Sequence, residues 1–109
     1  MVSMAEIEAL GKRIGEEFGA ERVILFGSHA RGAAGPHSDV DLLVVMAYEG
    51  RRAAQSAAIR TGLRPGFPMD LLVRTPEEVD HRLALGDPFM GEILQEGRLL
   101  YGAANPRMG

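Results

Sequence analysis

Phe26-Gly27-Ser28-His29-Ala30-Arg31-Gly32, followed by Ser38-Asp39-Val40-Asp41-Leu42-Leu43-Val44-Val45, is the stretch around which the chain is organised. The Gly27-Ser28 pair comes directly after an apolar run, Val23 to Phe26, where a strand would end in a tight turn and a short helix begin. Backbone N–H groups left unpaired at such a point suit an anion such as phosphate. Asp39 and Asp41 stand at i and i+2 at the start of a strongly apolar strand. Strand side chains alternate faces, so the two acids point the same way, about 6.6 Å apart at Cα. Carboxylates so placed raise each other's pKa. A divalent cation between them removes the conflict, and an all-oxygen donor set suits Mg²⁺.

A third acid, Asp70, stands among apolar residues in Phe67-Pro68-Met69-Asp70-Leu71-Leu72-Val73. An unpaired buried charge is costly, so a partner is expected, and a shared metal would serve. Two ions held roughly 3.5–4 Å apart by such acids can clamp the attacking and leaving oxygens of a phosphoryl displacement. Taken singly, each feature has a plainer reading. Gly27-Ser28 can be only a turn, Asp39 and Asp41 a solvated strand entrance or a structural calcium pair, and Asp70 a turn-side acid in water. Order and spacing together favour the site.

These residues resemble the nucleotidyltransferase superfamily that includes DNA polymerase beta, with its Gly-Ser, Asp-x-Asp and distant Asp. More narrowly, Gly27 to Val44 is similar to the minimal nucleotidyltransferases, small chains that often act as antitoxins to a HEPN-domain toxin. The resemblance implies a nucleotidyltransferase fold. It also implies transfer of AMP from ATP to a hydroxyl, that of a tyrosine on the toxin. Asp39, Asp41 and Asp70 would be catalytic and would hold two Mg²⁺, or Mn²⁺. Gly27 and Ser28 would hold the β- and γ-phosphates, and Arg31 would contact the triphosphate or an acidic partner. Two other readings stay open: an antitoxin that neutralises its partner by contact alone, and a small-molecule adenylyltransferase working with a separate helical subunit.

Outward from this stretch, 109 residues make one domain with a single core. Without cysteine there is no disulfide framework or thiolate metal site. No apolar run is long enough to span a membrane, and the first residues do not read as a signal peptide, so a cytoplasmic location is expected. A net charge of −3, with four Phe and two Tyr, gives no basic, aromatic surface for tracking nucleic acid, so no direct nucleic-acid binding is expected.

The remaining pattern alternates strands and helices. Ser3 to Glu6 forms a capping box before an apolar stripe, Ile7, Leu10, Ile14 and Phe18, with Lys12, Arg13, Glu16 and Glu17 on the solvated side. Strands are predicted over 22–26, 40–46 and 69–74, with an edge strand over 98–101. The continuous apolar character of 42–46 places that strand at the sheet centre. Residues 51–62 read as a helix with a small-residue face of alanines. Thr75-Pro76-Glu77-Glu78 caps a helix to about Leu85, and Asp87-Pro88 starts another that turns Phe89, Ile93 and Leu94 inward. Ser38 is expected to fix the turn before the acid pair. His29 is expected to be solvated, His37 structural and His81 inert. The fold class is thus α/β (α+β): a small mixed sheet with helices mainly on one face. The domain would cover 1–102, and 103–109 would be a flexible C-terminal tail.

Overall fold

A computed structural model describes residues 2–102; the tail predicted over 103–109 lies outside the described residues. The first helix, α1 (Met4–Phe18), opens with the expected capping box. The Ser3 side chain accepts from the Glu6 N–H, and the Glu6 carboxylate accepts from the Ser3 N–H. Its stripe of Ile7, Leu10 and Ile14 is buried, and Arg13 pairs with Glu17 at 2.8 Å on the wet side. Gly19, at φ +67, ends it.

Four strands follow the predicted bounds closely: β1 (Arg22–Phe26), β2 (Val40–Val45), β3 (Met69–Arg74) and β4 (Arg98–Gly102). They lie in the order β3-β2-β1-β4, with β2 and β3 parallel and the other pairs antiparallel. The central place expected for the second strand holds, and Leu42 to Val45 are fully buried. The parallel pair is joined through α2 (Arg52–Leu63), as a parallel connection requires a crossover. The four alanines of α2 are exposed, and the helix is anchored by Ile59 and Leu63 instead.

Alternation along the strands divides the core. Val23 and Leu25, Val40, Leu42 and Val44, and Met69 and Val73 meet α1 and α2 in the larger cluster. Ile24, Leu43 and Val45 take the opposite face, where Val79 of α3 (Pro76–Ala84) and Met90 and Ile93 of α4 (Pro88–Glu96) cover them. The register of β1 and β4 shifts between Val23 and Ile24, and the bulge sends both Leu100 and Tyr101 against α1. They pack where Gly11 and Gly15 present no side chain; a Cβ at either would collide with them.

Two local expectations are corrected. The stretch after Ser28 is not a helix but a hydrogen-bonded turn: the Gly27 carbonyl accepts from the Ala30 and Arg31 N–H groups, and Gly32 at φ +70 closes it. A second glycine so soon after the first stops propagation before a full helix can nucleate. In α4, Phe89 does not turn inward. It is 52% exposed, and Met90, one position on, fills the core in its place. Asp87 caps this helix and Pro88 occupies its first position, and that start rotates Phe89 off the buried side.

Candidate functional site

The open end of the face carrying α3 and α4 gathers the predicted residues. Asp41 lies one residue into β2, directly opposite Asp70 on β3 and Phe26 on β1. Asp39 shares the phase of Asp41 but precedes the strand and is exposed. Asp70 is also exposed, so the burial expected for it is overturned: it is the second residue of β3, an edge strand of the sheet. What brings Asp70 to the other acids is strand register, not the need of a buried charge.

Asp41, half-buried, is held above its ordinary value of 3.8. Burial is the first cause, then the charge of Asp70, with which it is in hydrogen-bonding reach, then that of Asp39. A proton or a cation between Asp41 and Asp70 relieves the crowding. Among the described residues, however, no three acid or histidine side chains stand gathered as a finished metal site. The fit rests on donor chemistry: Asp41, Asp70 and Asp39 offer only carboxylate oxygens on one face, as Mg²⁺ prefers. Asp41 and Asp70 form the near pair, and Asp39 stands two residues before Asp41.

Gly27 is set against this pair. It has φ +76, and a Cβ there would run into the Asp41 carboxylate, so glycine serves both the turn and the close approach. The turn's own hydrogen bonds are donated by Ala30, Arg31 and Ala33, which leaves the Ser28 and His29 N–H groups out of that set. Such groups at a strand end form an anion-binding concavity. Arg31 is exposed. Together with Phe26, Gly27, Phe89, Ile93 and Glu96 it lines a cavity of about 170 Å³ beside the turn, in which Phe26 and Phe89 meet edge to face at 5.8 Å.

His29, expected in solvent, is 7% exposed. Its Nε2 lies 3.3 Å from the Ser38 carbonyl oxygen, so it ties the Gly27–Gly32 turn to the loop that feeds Asp39. Its charge also acts to lower the Asp41 pKa against the larger raising effects. Nothing in the local sequence marks this role, because the contact exists only once β1 and β2 pair. Ser38 does fix its turn, accepting from the Gly35 N–H at 2.9 Å.

The raised pKa of Asp41 has a sign that a melt can read. Without divalent cations the folded chain keeps this proton to higher pH than the unfolded chain. The associated stability is therefore fully present below 3.8 and is lost as pH rises through the raised folded value. Asp41→Asn removes the loss, so in chelator at pH 7 the variant is expected to melt above the wild type, and Mg²⁺ to close or reverse that gap. Melting curves between pH 3 and 8, with and without Mg²⁺, check this. A wild type that follows the variant at every pH would contradict it.

A sequence profile described as "Nucleotidyltransferase domain" matches residues 7–100. Among solved structures, one similar in fold is a Sulfolobus solfataricus protein assigned as a nucleotidyltransferase. It is 22% identical at TM-score 0.59, over 96% of this chain and 90% of that one. A toxin–antitoxin solved with AMP-PNP is 17% identical at TM-score 0.53, over 95% of this chain and 77% of the other. A mutant of the MntA-HpeT toxin–antitoxin is 19% identical at TM-score 0.54, over 96% and 76%. No curated protein matches the chain by sequence. The profile spans nearly the whole sheet and its helices, and on that ground the chain belongs to the nucleotidyltransferase domain family.

Proposed function

We propose that the chain transfers AMP from ATP to a hydroxyl, that of a tyrosine on a HEPN-domain toxin, and thereby acts as the antitoxin. The observation that carries this reading is the in-register opposition of Asp41 and Asp70, with Asp39 on the same face, against the Gly27–Ser28 turn. The structures that share this fold include assemblies described as toxin–antitoxins, one holding AMP-PNP, which supports both the partner and the nucleotide.

In this reading Asp39, Asp41 and Asp70 would hold the divalent ions. When bound, these offset the negative charge of the acids and of the triphosphate. The Ser28 and His29 N–H groups take the β- and γ-phosphates, with Arg31 at the outer edge. The acceptor oxygen attacks the α-phosphorus, the bond to the β-phosphate oxygen breaks and pyrophosphate leaves. Asp70, exposed on the outer side of the pair, draws the proton from the acceptor. His29 holds the turn and the acid loop in fixed relation. Leu83, Leu85 and Phe89 around the α3–α4 connection, and Leu99 on the edge strand, leave apolar side chains exposed for a partner.

Co-expression with the helical partner, followed by intact mass measurement, tests the reading. The partner is expected to gain AMP increments with the wild-type chain and none with the Asp39→Asn, Asp41→Asn double variant. A partner neutralised without any mass change would instead favour antitoxin action by contact alone.

A further inference from the structure

At the other end of the same sheet face, the charge reverses. Arg74 ends β3 opposite Val45, where Asp70 near its start faces Asp41; at about 3.3 Å per residue this places the two ends roughly 13 Å apart. A cavity of about 170 Å³ lies there, lined by Arg52, Arg74, Glu78, His81 and Arg82. Three guanidiniums and an imidazole thus share a small recess with one carboxylate.

That carboxylate is already committed. Glu78 accepts from the Thr75 N–H at 2.9 Å in the cap of α3, and it takes Arg52 and the Tyr48 hydroxyl as further donors. These bonds hold Glu78 below the usual carboxylate range, the Thr75 backbone contributing most. Arg82 reaches Asp87 only at 3.7 Å. Arg74 donates to the Val73 carbonyl, a neutral acceptor. Burial and then the neighbouring Arg52 charge pull its pKa below the ordinary guanidinium value, with Arg82 acting the same way. Like charges so confined are stabilised by an added anion.

We propose that this arginine-lined recess is a second oxyanion site, taking the phosphate group of a small ligand and distinct from the acids at the opposite end of the face. A guanidinium's donors match phosphate oxygens two at a time, and the recess suits one or two phosphate groups better than a macromolecular surface. Arg74 and Arg82 supply the N–H groups not spent on Val73 and Asp87, while Arg52 is set in place by Tyr48 and Glu78. The site does not depend on the transfer reaction proposed above.

Calorimetric titration of the whole chain in chelator at low ionic strength tests it, with inorganic phosphate, pyrophosphate and AMP as separate titrants. Saturable binding is expected, weakened about tenfold or more by Arg74→Gln and by the exposed Arg82→Gln, and unchanged by Arg31→Gln, which removes the side-chain cation beside the Gly27–Gly32 turn instead. Equal affinity for phosphate and AMP assigns the phosphate group alone. Tighter binding of AMP assigns a nucleotide, and tighter binding of pyrophosphate a free diphosphate. No saturable binding by the wild type, or binding lost in Arg31→Gln and kept in both the Arg74 and Arg82 variants, overturns the proposal.

Discussion

Asp41→Asn is expected to lower nucleotidyl transfer by about a thousandfold or more while leaving the chain folded and able to bind the proposed partner. Asp41 is the acid with contacts on both sides: it opposes Asp70 in register, shares its phase with Asp39 and packs against Gly27. Asparagine keeps the shape and one ligand oxygen but removes the charge that a divalent ion answers. The fold does not need that charge, since its ionised form is disfavoured by burial and by its neighbours. Transfer rate and partner affinity should be measured on one preparation. A variant that retains more than a tenth of the wild-type rate would remove Asp41 from the reaction, and the proposed mechanism with it.

The second large effect is expected at Gly27, and a matched control exists in the same turn. Gly27 and Gly32 both adopt positive φ, +76 and +70, so alanine at either costs about 1–2 kcal/mol of backbone strain. Around Gly32 there is open space, whereas a Cβ on Gly27 meets the Asp41 carboxylate. Both variants should therefore melt lower, Gly27→Ala by more because the Asp41 carboxylate must also move. Only Gly27→Ala should also lose transfer, by about a hundredfold or more, because in the proposed mechanism a displacement of that carboxylate by an ångström would misplace the reacting groups. Equal activity losses in the two variants would mean that the turn matters only for stability.

The strands and helices were legible because their signals are local. Two capping boxes marked the starts of α1 and α3, and an unbroken apolar run marked the central strand. The acids of the candidate site could be named for a similar reason, as Asp39 and Asp41 lie in one strand entrance. The position of Asp70 is legible but its environment is not: its apolar neighbours imply burial, yet they face the sheet's two sides while Asp70 itself sits at an exposed edge. His29 was out of reach, because its contact with Ser38 joins two segments that meet only through the β1–β2 pairing. Phe89 failed on a one-position shift in helix phase, which short helices of nine residues specify weakly.

The parallel register of β2 and β3 has a bearing on how such chains are compared. The spacer between the acid pair and the third acid varies freely in principle, because α2 and its connections can lengthen without moving either strand. Phase cannot vary. Met69 and Val73 point into the larger core, with Leu71 packed against it, and Asp70 is thereby forced to the opposite face, level with Asp41. A slip of one residue would put Asp70 into the hydrocarbon interior and an apolar neighbour outside. Apolar residues outside the candidate site therefore act as the ruler for its acids. In a divergent sequence, the third acid is better sought by its parity within an apolar alternation than by its distance along the chain.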